Sequence, residues 1–212
     1  MKFYPAYLDL RDRPCLVVGG GSVAERKAFS LLDAGAAVTI ISPSLTPKLQ
    51  ALSDSGKIAH RQKQFDEPDL AAEFIVIAAT SSAEVNSRIA QVCKKRNMLV
   101  NVAVPPEEGN FVVPSVVERG ELLIAISTGG VSPALSKKLR QELETRYGPE
   151  YGIFLRMVAG IRRRILSEVA DEQQRREIFQ GITDSDVIEL LRQGKTHEAE
   201  SRLNQIAGSR RT

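Results

Sequence analysis

Three consecutive glycines, Gly19-Gly20-Gly21, stand between two stretches that demand different backbones, and this constrains the chain more than any other feature. On the amino side, PCLVVGG (Pro14 to Gly20) is a β-branched apolar run suited to a strand buried on both faces. On the carboxyl side, Ala24 to Ala34 carries Ala28, Leu31 and Leu32 on one helical face, with Gly35 where a C-cap belongs. Strand, glycine turn and helix together predict a βα unit. Gly19, Gly21 and Ala24 satisfy GxGxxA, whose glycines permit a tight turn and close backbone approach to a ligand. The helix start, with Ser22 and Val23 beside Ala24, then offers free N–H groups and a positive dipole end to a pyrophosphate. The bland alternative is a glycine turn that holds nothing. A Walker loop is excluded, because GxxxxGK[ST] is not matched.

The same alternation continues. AAVTIIS (Ala36 to Ser42) reads as a strand, Pro47 to Ser53 as a short helix, and KIAHRQKQF (Lys57 to Phe65) as a weaker, more polar strand. EFIVIAAT (Glu73 to Thr80) is the central strand, Ala83 to Lys95 a helix and MLVNVA (Met98 to Ala103) the next strand. The fold class expected is therefore α/β, with a Rossmann-like parallel sheet over residues 1–112. Beyond Pro105 the pattern changes. FVVPSVVERGELLIAIST reads as strand, turn, strand around ERGE (Glu118 to Glu121), either extending the sheet or pairing with another chain. Ser132-Pro133 begins a helix that runs from Ala134 to Tyr147, and Gly148-Pro149 ends it. From Tyr151 only helical periodicity remains, so residues 113–147 form a central strand-and-helix region and 148–212 a helical domain.

Composition removes several classes of function. A net charge of +3 is too small to be the footprint of a nucleic-acid binder. The longest apolar run, Phe74 to Ala79, is far short of a membrane span, and the opening lacks the apolar stretch of a signal peptide, so a soluble cytoplasmic protein is expected. Cys15, Cys93, His60 and His197 are scattered, which argues against a preformed metal site or a disulfide framework. A short-chain dehydrogenase is also disfavoured, because no tyrosine begins a YxxxK pair.

The crevice at the carboxyl ends of the strands is where such a sheet binds ligands. Thr80, at the end of the central strand, should face it; the alternative is a helix N-cap role shared with Ser81 and Ser82. A dinucleotide fold usually places an acid on the adenosine ribose about twenty residues after the glycines. No Asp or Glu occurs between Asp33 and Asp54, so ribose contacts fall to Ser42, Ser44 or the backbone around Pro43. Lys48 is the only cation there, which favours NAD over NADP.

Four strings taken together resemble one family. YPAYLDLRDRPCLVVGGGSVAERKA, AATSSAEVN, NVAVPPEEGNFVVPS and AISTGGVSPALSKKLRQELE are similar, in order and spacing, to the precorrin-2 dehydrogenase / sirohydrochlorin ferrochelatase family. The likeness covers about residues 3 to 147, and the helical tail in kind. It implies NAD-dependent oxidation of precorrin-2 to sirohydrochlorin, with ferrous iron inserted at the same site in some members, in a homodimer. On the family's pattern the coenzyme positions are Ser22, Val23, Pro43 and Ser44, with Asn101 added from the end of the fifth strand. The polyacidic tetrapyrrole would meet Asn110 and the loop Ser127, Thr128 and Gly129, whose backbone donors precede a helix start. Lys137, Lys138 and Arg140, and in the tail Arg156 and Arg162 to Arg164, are further candidates for its carboxylates, against the alternative of a solvated face.

One departure from the family is chemical. Members carry NVxD at the end of the fifth strand, with the aspartate assigned as general base, whereas this chain reads Asn101-Val102-Ala103-Val104. Valine takes no proton and binds no iron, so no metal ligand is assigned. Glu107 is the replacement expected, with Glu108 or direct proton loss to water as alternatives. Losing a general base typically costs about a hundred- to ten-thousandfold, so dehydrogenation survives this change better than chelation does. The competing reading is a dimeric NAD-binding regulatory module without catalysis.

Overall fold

The apolar runs of the first half line up as a five-stranded parallel sheet in a computed structural model that describes residues 3–208. Its strands are β1 (Pro14–Val18), β2 (Ala37–Ile41), β3 (Ala59–Arg61), β4 (Ile75–Ala78) and β5 (Leu99–Val102), in the order β3-β2-β1-β4-β5. Helices α1 (Ser22–Asp33), α2 (Pro47–Asp54) and α3 (Ala83–Lys95) make the connections. Two 3-10 turns, Glu67–Asp69 and Pro106–Glu108, complete this part. Alternate residues of β1 serve opposite faces. Cys15 and Val17 join Ala24, Ala28 and Leu31 of α1 in one core, while Leu16 and Val18 join Ile89, Ala90 and Cys93 of α3 in the other. Burial on both faces explains why these strands read as unbroken apolar runs, and each fully buried Ile or Leu contributes roughly 1.5–3 kcal/mol. Both cysteines are buried; burial raises the Cys15 thiol and pushes Cys93 up to about 11, so neither is a nucleophile at neutral pH.

The polar run from Lys57 to Phe65 supplies only three strand residues, because β2 pairs it at Ala59, His60 and Arg61 alone. Beyond Arg61 the chain leaves the sheet.

The structure divides into two units, Met1–Val113 and Pro114–Thr212. In the second, β6 (Ser115–Arg119) and β7 (Leu122–Ile126) form an antiparallel hairpin that makes its own two-stranded sheet and does not extend the parallel one. Gly120, at φ +63°, takes the first central position of the two-residue turn, where a type II′ turn needs a left-handed residue. Five helices follow: α4 (Pro133–Arg146), α5 (Pro149–Glu168), α6 (Glu172–Thr183), α7 (Val187–Arg192) and α8 (Thr196–Gly208). The last four enclose Phe154, Ile165, Ile178, Ile182, Leu191 and Leu203. Arg119 donates to the carbonyls of Tyr147 and Glu144 at 2.9 and 3.2 Å, satisfying the open end of α4. No described helix is long and apolar enough to cross a membrane.

Candidate functional site

The strand order reverses direction between β1 and β4, and a cleft of about 700 Å³ opens at the carboxyl ends of the strands there. Three stretches wall it: Gly19 to Gly21 after β1, Ser42 to Thr46 after β2, and Ala79 to Ser82 after β4. Lys63, Gln64 and Phe65, just past β3, close the remaining side.

The glycines are required by packing. A methyl group on Gly20 would sit 1.9 Å from the Ser44 carbonyl oxygen, and one on Gly19 would sit 2.3 Å from that of Ala79. Gly19 also adopts φ +124°, a region that side chains disfavour. A methyl group on Gly21, by contrast, would meet nothing within 4 Å. Gly21 is the N-cap of α1 and has no side chain to cap with, so the N–H groups of Ser22, Val23 and Ala24 carry no hydrogen bond among the described residues. Close backbone approach and unclaimed donors at a positive helix end are what a diphosphate requires. Ala24 is fully buried against β1, giving the close helix–strand contact expected of the third position of the motif.

A carboxylate stands in the first turn of α1, but it is occupied. The hydrogen bond from Thr46 holds Glu25 below the usual range against a partial desolvation, and Lys48 lies 3.3 Å away. Lys48, the cation noted in the sequence, is thereby engaged with Glu25.

Of the sequence candidates, Gly19, Gly21, Ser42, Pro43, Ser44 and Thr80 come together in this cleft. Ser42 is buried and donates its hydroxyl to the Ser44 carbonyl at 2.7 Å, so it shapes the rim and has no proton left for a ribose; Ser44 is exposed. Thr80 is held by Asn86, a fully buried residue the sequence reading missed. The Asn86 oxygen accepts from the Thr80 N–H at 3.1 Å and lies 2.8 Å from its hydroxyl. The Asn86 amide nitrogen donates to the carbonyls of Thr80 and Val104, at 3.2 and 3.0 Å. One side chain thus ties the end of β4 to the loop beyond β5.

The remaining candidates lie elsewhere. Asn101 is buried and donates to the Phe111 carbonyl at 3.1 Å. The Asn110 amide is taken up by β5, accepting from the Val100 N–H and donating to the Met98 carbonyl, each at 2.8 Å. Glu107 is exposed in the 3-10 turn after β5, while Glu108 is half-buried and Val104 is 60% exposed. Ser127, Thr128 and Gly129 belong to the second unit. There the Thr128 hydroxyl accepts from the Ser132 N–H, the Gly129 N–H donates to Ser127 and the Leu135 N–H to Ser132, so several donors of this loop and of the helix start are engaged internally. Lys138 and Arg140 pair with Glu142 and Glu144 one turn on, Arg162 covers the Phe179 ring, and Arg164 holds Asn204. Among the described residues no group of three or more His, Cys, Asp or Glu could hold a metal ion.

A parallel sheet with a glycine cradle at its switch point defines a dinucleotide-binding domain, followed here by a hairpin and a helical bundle. Family profiles match all three parts: residues 6–115 as "Putative NAD(P)-binding", 119–146 as "Sirohaem biosynthesis protein central" and 150–206 as "Sirohaem synthase dimerisation region". The chain is 39% identical over 214 residues to the siroheme synthase of Methylobacillus flagellatus and 37% over 203 to that of Thioalkalivibrio sulfidiphilus. These alignments cover 99% and 96% of this chain but 45% and 42% of the relatives, so the chain spans less than half of their length. Among solved structures it is similar to "SirC, precorrin-2 dehydrogenase", at 30% identity and a TM-score of 0.80, covering 96% of this chain and all of that one. The chain belongs to the precorrin-2 dehydrogenase / siroheme synthase family.

Proposed function

We propose that the protein oxidises precorrin-2 to sirohydrochlorin with NAD as the acceptor, in siroheme biosynthesis. The observation that carries the reading is the cradle. Gly20 lies so close to Ser44 that no side chain fits, and beside it the first turn of α1 presents three unclaimed N–H groups. The likeness to a whole precorrin-2 dehydrogenase chain supports the substrate.

Ser22, Val23 and Ala24 hold the diphosphate through their N–H groups, and Ser44 with the backbone of Pro43 meets the adenosine ribose. When bound, NAD supplies a hydride acceptor, and the contribution of the protein is then chiefly orientation. The Thr80–Asn86 pair keeps the β4 end fixed. Precorrin-2 loses one hydride and one proton, and the proton goes to Glu107. Asn101 and Asn110 set the loop that carries this glutamate, and binding of the tetrapyrrole is assigned to Ser127, Thr128 and Gly129 of the second unit. The reaction assigned ends at the oxidised tetrapyrrole, because Val104 puts a hydrocarbon where the family aspartate would meet iron. We assign residues 1–112 to coenzyme binding, 113–147 to a central region and 148–212 to a helical domain. We assign a cytoplasmic location and a homodimer, and the profile match at 150–206 supports the dimer.

The test is an anaerobic assay of the full chain with precorrin-2 and NAD, following NADH release. Glu107→Gln should slow it about a hundredfold, and Val104→Asp should raise it about tenfold by restoring a base at the family position. Absence of NADH release, with the coenzyme still bound, overturns the oxidation in favour of a module that only senses NAD.

A further inference from the structure

The cleft poses a selectivity problem. NAD is usually distinguished from NADP by a carboxylate at the end of β2, which accepts from the ribose 2′-hydroxyl and repels a 2′-phosphate. Here the end of β2 is Ser42-Pro43-Ser44, with no acid. Instead, the single charged side chain in the cleft wall among the described residues is a cation, Lys63, brought to this end by β3 lying beside β2. An unopposed lysine there would welcome a 2′-phosphate.

It is not unopposed. The Lys63 Nζ lies 2.9 Å from an Asp69 carboxylate oxygen, and Arg61 lies 3.9 Å from the same oxygen. The Asp69 side chain is only 10% exposed, and its second oxygen accepts from the Asp66 N–H at 2.8 Å. Burial, the largest single influence, would raise Asp69, but the hydrogen bonds from Lys63 and the Asp66 N–H, with the charges of Lys63 and Arg61, together outweigh it and keep the carboxyl below its ordinary range, hence charged. A 2′-phosphate that recruits Lys63 draws the closest cation away from this buried carboxylate, leaving it Arg61 at 3.9 Å and the Asp66 N–H, and weakening the pairing of a buried charge is unfavourable. NAD makes no such demand.

We propose that Asp69, outside the cleft wall, is the residue that sets the preference for NAD over NADP, by holding Lys63 away from the position of a 2′-phosphate. The proposal rests on reading the cleft as the coenzyme site. Discrimination then works by obstruction of the wrong ligand, from one strand further along the sheet than usual.

The test measures dissociation constants of NAD and NADP on the full chain by calorimetry, which needs no turnover. Asp69→Asn keeps the shape of the side chain, removes its charge and should lower the NADP-to-NAD ratio of constants about tenfold, the worth of one charge-assisted contact to phosphate. Adding Lys63→Met to that variant should abolish the gain. Lys63→Ala alone should leave the ratio within about twofold of the native value, because a lysine held by Asp69 contributes nothing to a 2′-phosphate; a several-fold rise would show that Lys63 already serves the phosphate and overturns the proposal even where Asp69→Asn fails to fold. If NAD binds and the ratio does not fall in Asp69→Asn, the proposal fails while the coenzyme site stands. If the native chain binds neither coenzyme, both fail.

Discussion

Each unit contains a glycine-bearing turn that feeds a helix, and the two are finished differently. In the first, Gly19 to Gly21 leads into α1 with a glycine as N-cap, and the first-turn N–H groups remain open. In the second, Gly129-Gly130 leads into α4, but Thr128 and Ser132 supply hydroxyls that accept from Ser132 and Leu135, and Ser127 takes Gly129. Both look like anion sites on sequence alone. What separates them is whether the chain caps its own helix: a turn with side-chain caps has satisfied its donors before any ligand arrives.

The sharpest way to break this comparison is Gly20→Ala. The added methyl would lie 1.9 Å from the Ser44 oxygen, so the rim must move, and NAD affinity should fall about a hundredfold by calorimetry, as misplacement of a preorganised site does. Gly129→Ala meets nothing within 4 Å and should cost only about 1–2 kcal/mol for its left-handed backbone, leaving NAD binding intact. Equal effects on NAD would mean that the two turns are not distinct. Next in size, Asn86→Ala removes a buried amide with four contacts and should cost about 2–3 kcal/mol in denaturant unfolding, with weaker NAD binding as the β4 end loosens. Smallest, Thr128→Val deletes the hydroxyl shared by Ser132 and Ser136 and should cost about 1 kcal/mol in the same assay. A neutral result would show that the cap in the second unit is dispensable.

The sheet and its helices were largely legible, because burial on both faces writes continuous apolar runs and a single face writes a helical period. Residues 83–95 emerge as a helix with the bounds expected from the sequence. The third strand shrank because a polar run carries no signal for where its neighbour stops pairing. The glycine cradle was legible for a local reason: strand, turn and helix follow one another. Asn86 was not. A polar residue inside a helix reads as solvent-facing, and its partners Thr80 and Val104 are six and eighteen residues away. Lys63 escaped for the same reason, since only the pairing of β3 with β2 puts it beside Ser42. Ser42 and Asn110 were identified as polar groups at a useful place, but the chain itself engages both side chains.

The engagement of Asn110 matters beyond the site. An outermost strand exposes a ladder of amides and carbonyls on which a stray peptide can grow. On β5 that ladder is met by a loop arriving only ten residues later, with the Asn110 N–H donating to the Val100 carbonyl at 2.9 Å while its side chain serves Val100 and Met98. At the opposite margin β3 is three residues long and gives an intruder little to grip. The sheet is therefore blunted at both margins, and on the β5 side the seal is translated almost as soon as the strand it guards, which shortens the interval in which a nascent chain could be captured by another.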